Sequence, residues 1–131
     1  MLTNDKRPKE RYRVYIAGPM TIGDSFSHVR TALELAEDLW YWGYAPFVPH
    51  MNFAWHLVYP KSHEEWLDYD FNWLRLCDCV VRLPGDSVGA DLEVAEAKRL
   101  GIPVILDDYG DELEDKLDSL VQQNFSERNE T

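Results

Sequence analysis

Four short apolar runs, each separated from the next by a helical pattern, leave this chain little choice of architecture. The runs fall at 13–17, 45–49, 79–83 and 102–106. Between Ser25 and Trp42, the residues Val29, Ala32, Leu33, Ala36, Leu39 and Trp40 recur at intervals of three and four, and Gly43 is the expected stop. Ser62-His63-Glu64-Glu65 is a capping box that starts a helix expected to run to about Cys77. A further helix follows Ser87, and a last one is expected over 111–122, using Leu113, Leu117 and Leu120 or Val121. The segment 50–61 is rich in aromatics and is expected to be a loop.

Strands that alternate with helices, and that are apolar throughout, belong in a parallel sheet covered on both faces. The expected fold is therefore α/β, a three-layer, doubly wound parallel sheet of about four to five strands, flavodoxin- or Rossmann-like. Right-handed crossovers place the strand-to-helix loops 18–24, 50–61 and 84–89 at one edge of the sheet. Ligands bind at that edge in such folds. A length of 131 residues suits one domain, expected over 11–123, between a flexible segment 1–10 and a flexible acidic tail 124–131.

Two carboxylates break the helical pattern. On the helix after Ser87, the residues Ala90, Val94, Ala97 and Gly101 make one narrow apolar face, and Glu93 lies at its edge. On the helix after Ser62, Asp70 falls among Trp66, Trp73, Leu74 and Cys77. A buried carboxylate must be paired, hydrated in a cleft or used in chemistry. One inward acid is most simply a structural group. Two that converge on one sheet edge point to a site.

Composition narrows the function. The net charge is −11, from 24 acidic and 13 basic residues, which opposes binding to a nucleic-acid polymer. A small anion remains acceptable, because a few backbone N–H groups can hold it. No apolar run suggests a signal peptide or a membrane span, so a cytoplasmic protein is expected. Cys77 and Cys79 are too close in sequence for an unstrained disulfide and are expected to be free thiols. His28, His50, His56 and His63 lack paired zinc spacing on one helix, so neither metal nor cofactor is expected.

The loop Gly18-Pro19-Met20-Thr21-Ile22-Gly23 matches neither the dinucleotide fingerprint nor the Walker motif. Its glycines would let the backbone approach a ligand. Ser87 could hold a hydroxyl or phosphate oxygen, and an ordinary N-cap explains it about equally well. Asn52, Phe53, Trp55, His56 and Tyr59 supply either a stacking face for a ligand or a hydrophobic cover.

The run Tyr15-Ile16-Ala17-Gly18-Pro19, then Asp70 eight residues before Asp78, then Gly89 four residues before Glu93 with Ala97 and Gly101 following, resembles the nucleoside 2-deoxyribosyltransferase superfamily. That group includes the deoxynucleoside 5′-monophosphate N-glycosidases. The resemblance spans about residues 12–106. It implies that Glu93 is the nucleophile, that Asp70 helps protonate the base and that Tyr15 orients Glu93. The substrate is expected against Gly18, Pro19, Met20, Ser87, Gly89 and Trp66, from the two ligand-facing loops and the Asp70 helix. Ser87 stands where the transferases often carry an aspartate and the monophosphate glycosidases a serine. Pro19 and Thr21 stand where the latter have serine and arginine.

The expected activity is cleavage of the N-glycosidic bond of a nucleoside or nucleoside monophosphate through a glycosyl-glutamate. The sugar would pass to another base or to water. Alternatives are a nucleotide-binding or sensing module without turnover, a hydrolase of another N-glycoside such as NAD, and an interaction protein with a Trp-rich surface. The resemblance also implies a homo-oligomer.

Overall fold

The computed structural model describes residues 10–20, 25–108 and 111–130, with side chains as far as 124. The expected flexible segment 1–10 therefore lies outside the described residues except for Glu10, and Thr21, Ile22 and Gly23 of the first loop lie outside them too. Strands β1 (Arg13–Ala17), β2 (Ala45–Phe47), β3 (Cys79–Arg82) and β4 (Val104–Leu106) form one parallel sheet in the order β2-β1-β3-β4. Helices α1 (Ser25–Tyr41), α2 (Asn52–Val58), α3 (His63–Leu74), α4 (Val88–Arg99) and α5 (Leu113–Glu130) complete the fold.

Strand periodicity assigns the two faces. Val14 and Ile16 of β1, with Cys79 and Val81 of β3, pack against Ala32, Leu35 and Leu39 of α1 and Leu113 and Leu117 of α5. Tyr15, Ala17 and Val80 point the opposite way, onto Leu74 of α3 and Ala90 and Ala97 of α4. The result is the three-layer, doubly wound α/β sheet, with four strands. The strand order reverses direction between β1 and β3, so the crevice for a ligand opens there.

Local chemistry sets most element ends. Helix α1 closes in a Schellman turn: Tyr44 N donates to Leu39 O at 2.9 Å, Gly43 N donates to Trp40 O at 3.1 Å, and Gly43 has φ +96°. Helix α3 starts at the expected capping box, with the Ser62 side chain accepting from Glu65 N and the Glu65 side chain accepting from Ser62 N. At the sheet edge, Ala45 N donates to Tyr12 O at 2.9 Å. The next residue, Pro46, therefore has its nitrogen on the outer side, where it forfeits no ladder bond.

The structure corrects several expectations. Residues 49–58 are not a loop: Pro49–Met51 is one 3₁₀ turn and α2 follows it. Helix α3 stops at Leu74, before Cys77, and α5 runs to Glu130, past the expected end at 122. Leu33 and Trp40 of α1 and Trp73 of α3 are exposed rather than core. The buried stripe of α4 is Ala90, Glu93 and Ala97, so Glu93 sits at its centre, and Val94 is only half-buried.

Candidate active site

At the carboxyl ends of β1 and β3 a cavity of about 440 Å³ opens. Glu93 and Asp70 line it from α4 and α3, and both are buried. Beneath them, Tyr15 of β1 is fully buried, and its hydroxyl donates to Glu93 Oε2. The Tyr15 ring stacks on Phe47 of β2 at 5.6 Å between centroids, and Phe47 stacks on Trp73 at 5.7 Å. The hydroxyl is thus held by both its ring packing and its bond. Asp70 Oδ1 accepts from Asn52 Nδ2 of α2 at 2.8 Å.

Burial dominates the electrostatics. Desolvation pushes the Asp70 carboxyl up to about 7, against the opposing effect of the Asn52 hydrogen bond. Desolvation likewise pushes Glu93 up to about 8. The Tyr15 hydrogen bond and the Arg82 charge oppose this, and the charge of Asp70 adds to it. The repulsion between the two carboxyl groups is mutual, so they lose their protons as a coupled pair rather than independently. Tyr15 is raised well above 10, first by burial and then by the charges of Glu93 and Asp70, so it remains a donor.

The loop after β3 sets the start of α4. Arg82 Nη2 donates to Gly85 O at 2.9 Å and to Asp91 Oδ1 at 3.0 Å, tying strand, loop and first helical turn together. Its Nη1 also donates to Leu83 O. Ser87 caps the helix by accepting from Ala90 N at 3.1 Å, the ordinary N-cap role, and its side chain still borders the cavity. Gly89 fits closely beside His63: a Cβ there would stand 3.1 Å from His63 Cε1. Gly18 fits closely against Leu83, since a Cβ would stand 3.0 Å from Leu83 Cβ and Cδ1 and force that side chain to shift.

Of the residues expected from sequence, Glu93, Asp70, Gly18, Met20, Ser87, Gly89 and Trp66 border the cavity. Tyr15 reaches it only through Glu93. Pro19 is not on its wall. The Pro19 carbonyl accepts from His50 Nε2 at 3.1 Å, and its ring stands 2.8 Å from where a Cβ on Gly85 would be. Pro19 therefore joins the first and third loops behind the site. The sequence reading missed Ser25, His50, Lys61 and His63 as wall residues. His50 is buried and kept below its usual imidazole range by desolvation. Because Nε2 donates to a carbonyl, Nδ1 is the acceptor, and it has no hydrogen-bond partner among the described residues.

Among the described residues no group of three or more His, Cys, Asp and Glu is arranged to hold a metal ion. Likewise, no helix among them is long and apolar enough to cross a membrane.

The arrangement defines a class: a parallel α/β domain whose cavity, at the strand-order reversal, holds two buried carboxyl groups. The chain belongs to the family described as Domain of unknown function (DUF7768), whose model matches residues 12–107. None of the curated proteins matches it. Among solved structures it is similar to a 2-deoxyribosyltransferase from the psychrotolerant bacterium Bacillus psychrosaccharolyticus, with 24% identity, TM-score 0.52, and coverage of 72% of this chain and 70% of that one. It is also similar to a conserved protein from Enterococcus faecalis V583, with 23% identity, TM-score 0.62, and coverage of 85% and 75%. At these identities the likeness is one of fold.

Proposed function

We propose that this protein cleaves the N-glycosidic bond of a nucleoside or nucleoside monophosphate and passes the sugar, through a covalent ester on Glu93, to another base or to water. The observation that carries this reading is the pair of buried carboxyls on one cavity, Glu93 held by the Tyr15 hydroxyl and Asp70 raised to about 7. The fold shared with a 2-deoxyribosyltransferase supports it as an analogy.

The step follows the logic of a retaining glycosidase. Tyr15 occupies Glu93 Oε2, leaving Oε1 to attack C1′. The C1′–N bond breaks, its electron pair goes to the base, and the Asp70 proton follows it. Positive charge developing at C1′ favours ionised Glu93, whereas a basic ring nitrogen favours the proton on Asp70. Binding thereby arranges the shared proton for reaction. Attack on C1′ by a second base or by water frees Glu93 and returns a proton to Asp70.

The test is incubation with a panel of nucleosides and monophosphates, with and without a free acceptor base, and chromatography of the products. Base release or exchange is expected, abolished by Glu93→Ala in a variant that still folds. A slow fluorinated substrate should leave a sugar adduct on Glu93 detectable by mass spectrometry. Turnover unchanged in Glu93→Ala would remove the mechanism.

A further inference from the structure

Helices α2 and α3 form an antiparallel hairpin joined by two side-chain rungs. In one, Asn52 Nδ2 donates to Asp70 Oδ1 at 2.8 Å; in the other, Trp66 Nε1 donates to His56 Nδ1 at 2.8 Å. His56 follows Asn52 by four residues and Trp66 precedes Asp70 by four. The rungs therefore stand about one helical turn apart, roughly 5–6 Å, and all four residues line the cavity.

The second rung fixes a proton. An indole N–H can only donate, so His56 Nδ1 must accept. The same Nδ1 also accepts from the backbone N–H of Lys61 at 3.1 Å. It carries no hydrogen, and the ring's one N–H is at Nε2. Since Nδ1 is committed to the hairpin, Nε2 is the nitrogen left for a ligand, and there it only donates. A ring turned over would present carbon to both donors, so the two bonds also fix the ring's orientation.

We propose that His56 donates its Nε2–H to a carbonyl oxygen of the nucleobase, so that the site selects oxo-substituted bases over amino-substituted ones. This rests on the nucleoside reading above. Asp70 delivers a proton to the leaving base on the first rung. A flat base extending along the hairpin from that point meets the second rung at its far edge. An amino group there would face donor with donor and leave both unpaired, the arrangement that discriminates most strongly between similar ligands.

The test is binding of two pairs of free bases, hypoxanthine with adenine and uracil with cytosine, by calorimetry. At least one pair is expected to bind with the oxo member about tenfold tighter, the size of one well-made hydrogen bond. In His56→Asn the amide oxygen stands near the place of Nδ1 and keeps accepting from Trp66 and Lys61, but nothing reaches to Nε2. The preference should vanish there. In His56→Gln, whose amide N–H extends to the Nε2 position, it should persist. Binding without an oxo preference, or a preference unchanged in His56→Asn, overturns the role of His56 and leaves the nucleoside reading standing. Binding of none of the four bases overturns both.

Discussion

The Tyr15 hydroxyl and Glu93 Oε2 are hydrogen-bonded across the interface between the central strand and α4, beneath the floor of the cavity. The bond restrains the carboxylate and partly offsets the cost of burying it. Tyr15→Phe keeps the ring on Phe47 and removes only the donor. It should lower kcat by about 10- to 100-fold, the range for a hydrogen bond to a charged group, and cost about 1 kcal/mol in stability. Steady-state kinetics and urea unfolding check both. An unaltered kcat would remove Tyr15 from the machinery.

The reactive state of the proposed enzyme has one proton on the carboxyl pair. Asp70 at about 7 and Glu93 at about 8 bound the range where that holds in the free protein. A pH profile of kcat/KM should be a narrow bell, rising near 7 as the first proton leaves and falling near 8 as the second does. In Asp70→Asn the falling limb should disappear. The remaining rise should lie between the two wild-type limbs, because Glu93 alone then carries it and no longer ionises beside a charged Asp70.

Stability should depend on pH through the same groups. Asp70 has a folded value of about 7 against an ordinary 3.8, and Glu93 about 8 against 4.5, so the folded state keeps protons that the unfolded chain has released. Their contribution is complete below about pH 4 and is lost as pH rises through 7 to 8. For Asp70 the loss is on the order of 2 kcal/mol, allowing for solvent in the cavity. The difference in unfolding free energy between wild type and Asp70→Asn, measured from pH 4 to 9, should shift in favour of the variant as pH rises. A flat difference would contradict the burial argument.

Gly89→Ala separates fit from folding. The new Cβ would press on the exposed His63 ring by a few tenths of an ångström and narrow the cavity beside Ser87. Helix α4 itself gains from alanine, by up to about 1 kcal/mol. The variant should unfold no earlier than wild type in a thermal melt while its KM rises several-fold. A drop in Tm with KM unchanged would show that the glycine serves packing alone.

Asp70 and Glu93 were legible because a charge on an apolar stripe violates a period that needs only the sequence to compute. Gly43 and the Ser62–Glu65 box were legible because caps are local chemistry. Helix α2 was not, since its seven residues bury no side chain fully and its face is set by the Asn52 and His56 bonds to α3. Such a segment is too short to be helical by itself. Trp40 and Trp73 misled because apolar spacing identifies a stripe but not how far round the helix its neighbours cover it. Lys61 and His63 reach the cavity only through the hairpin turn, and Pro19 leaves the wall only because Gly85 and His50 take it up. Each of these depends on contacts remote in sequence.

Pro46 has one more effect. A foreign β-segment approaching the β2 border would look for a backbone donor where the proline ring supplies none, and the growth of mixed sheets between molecules is blocked on that flank.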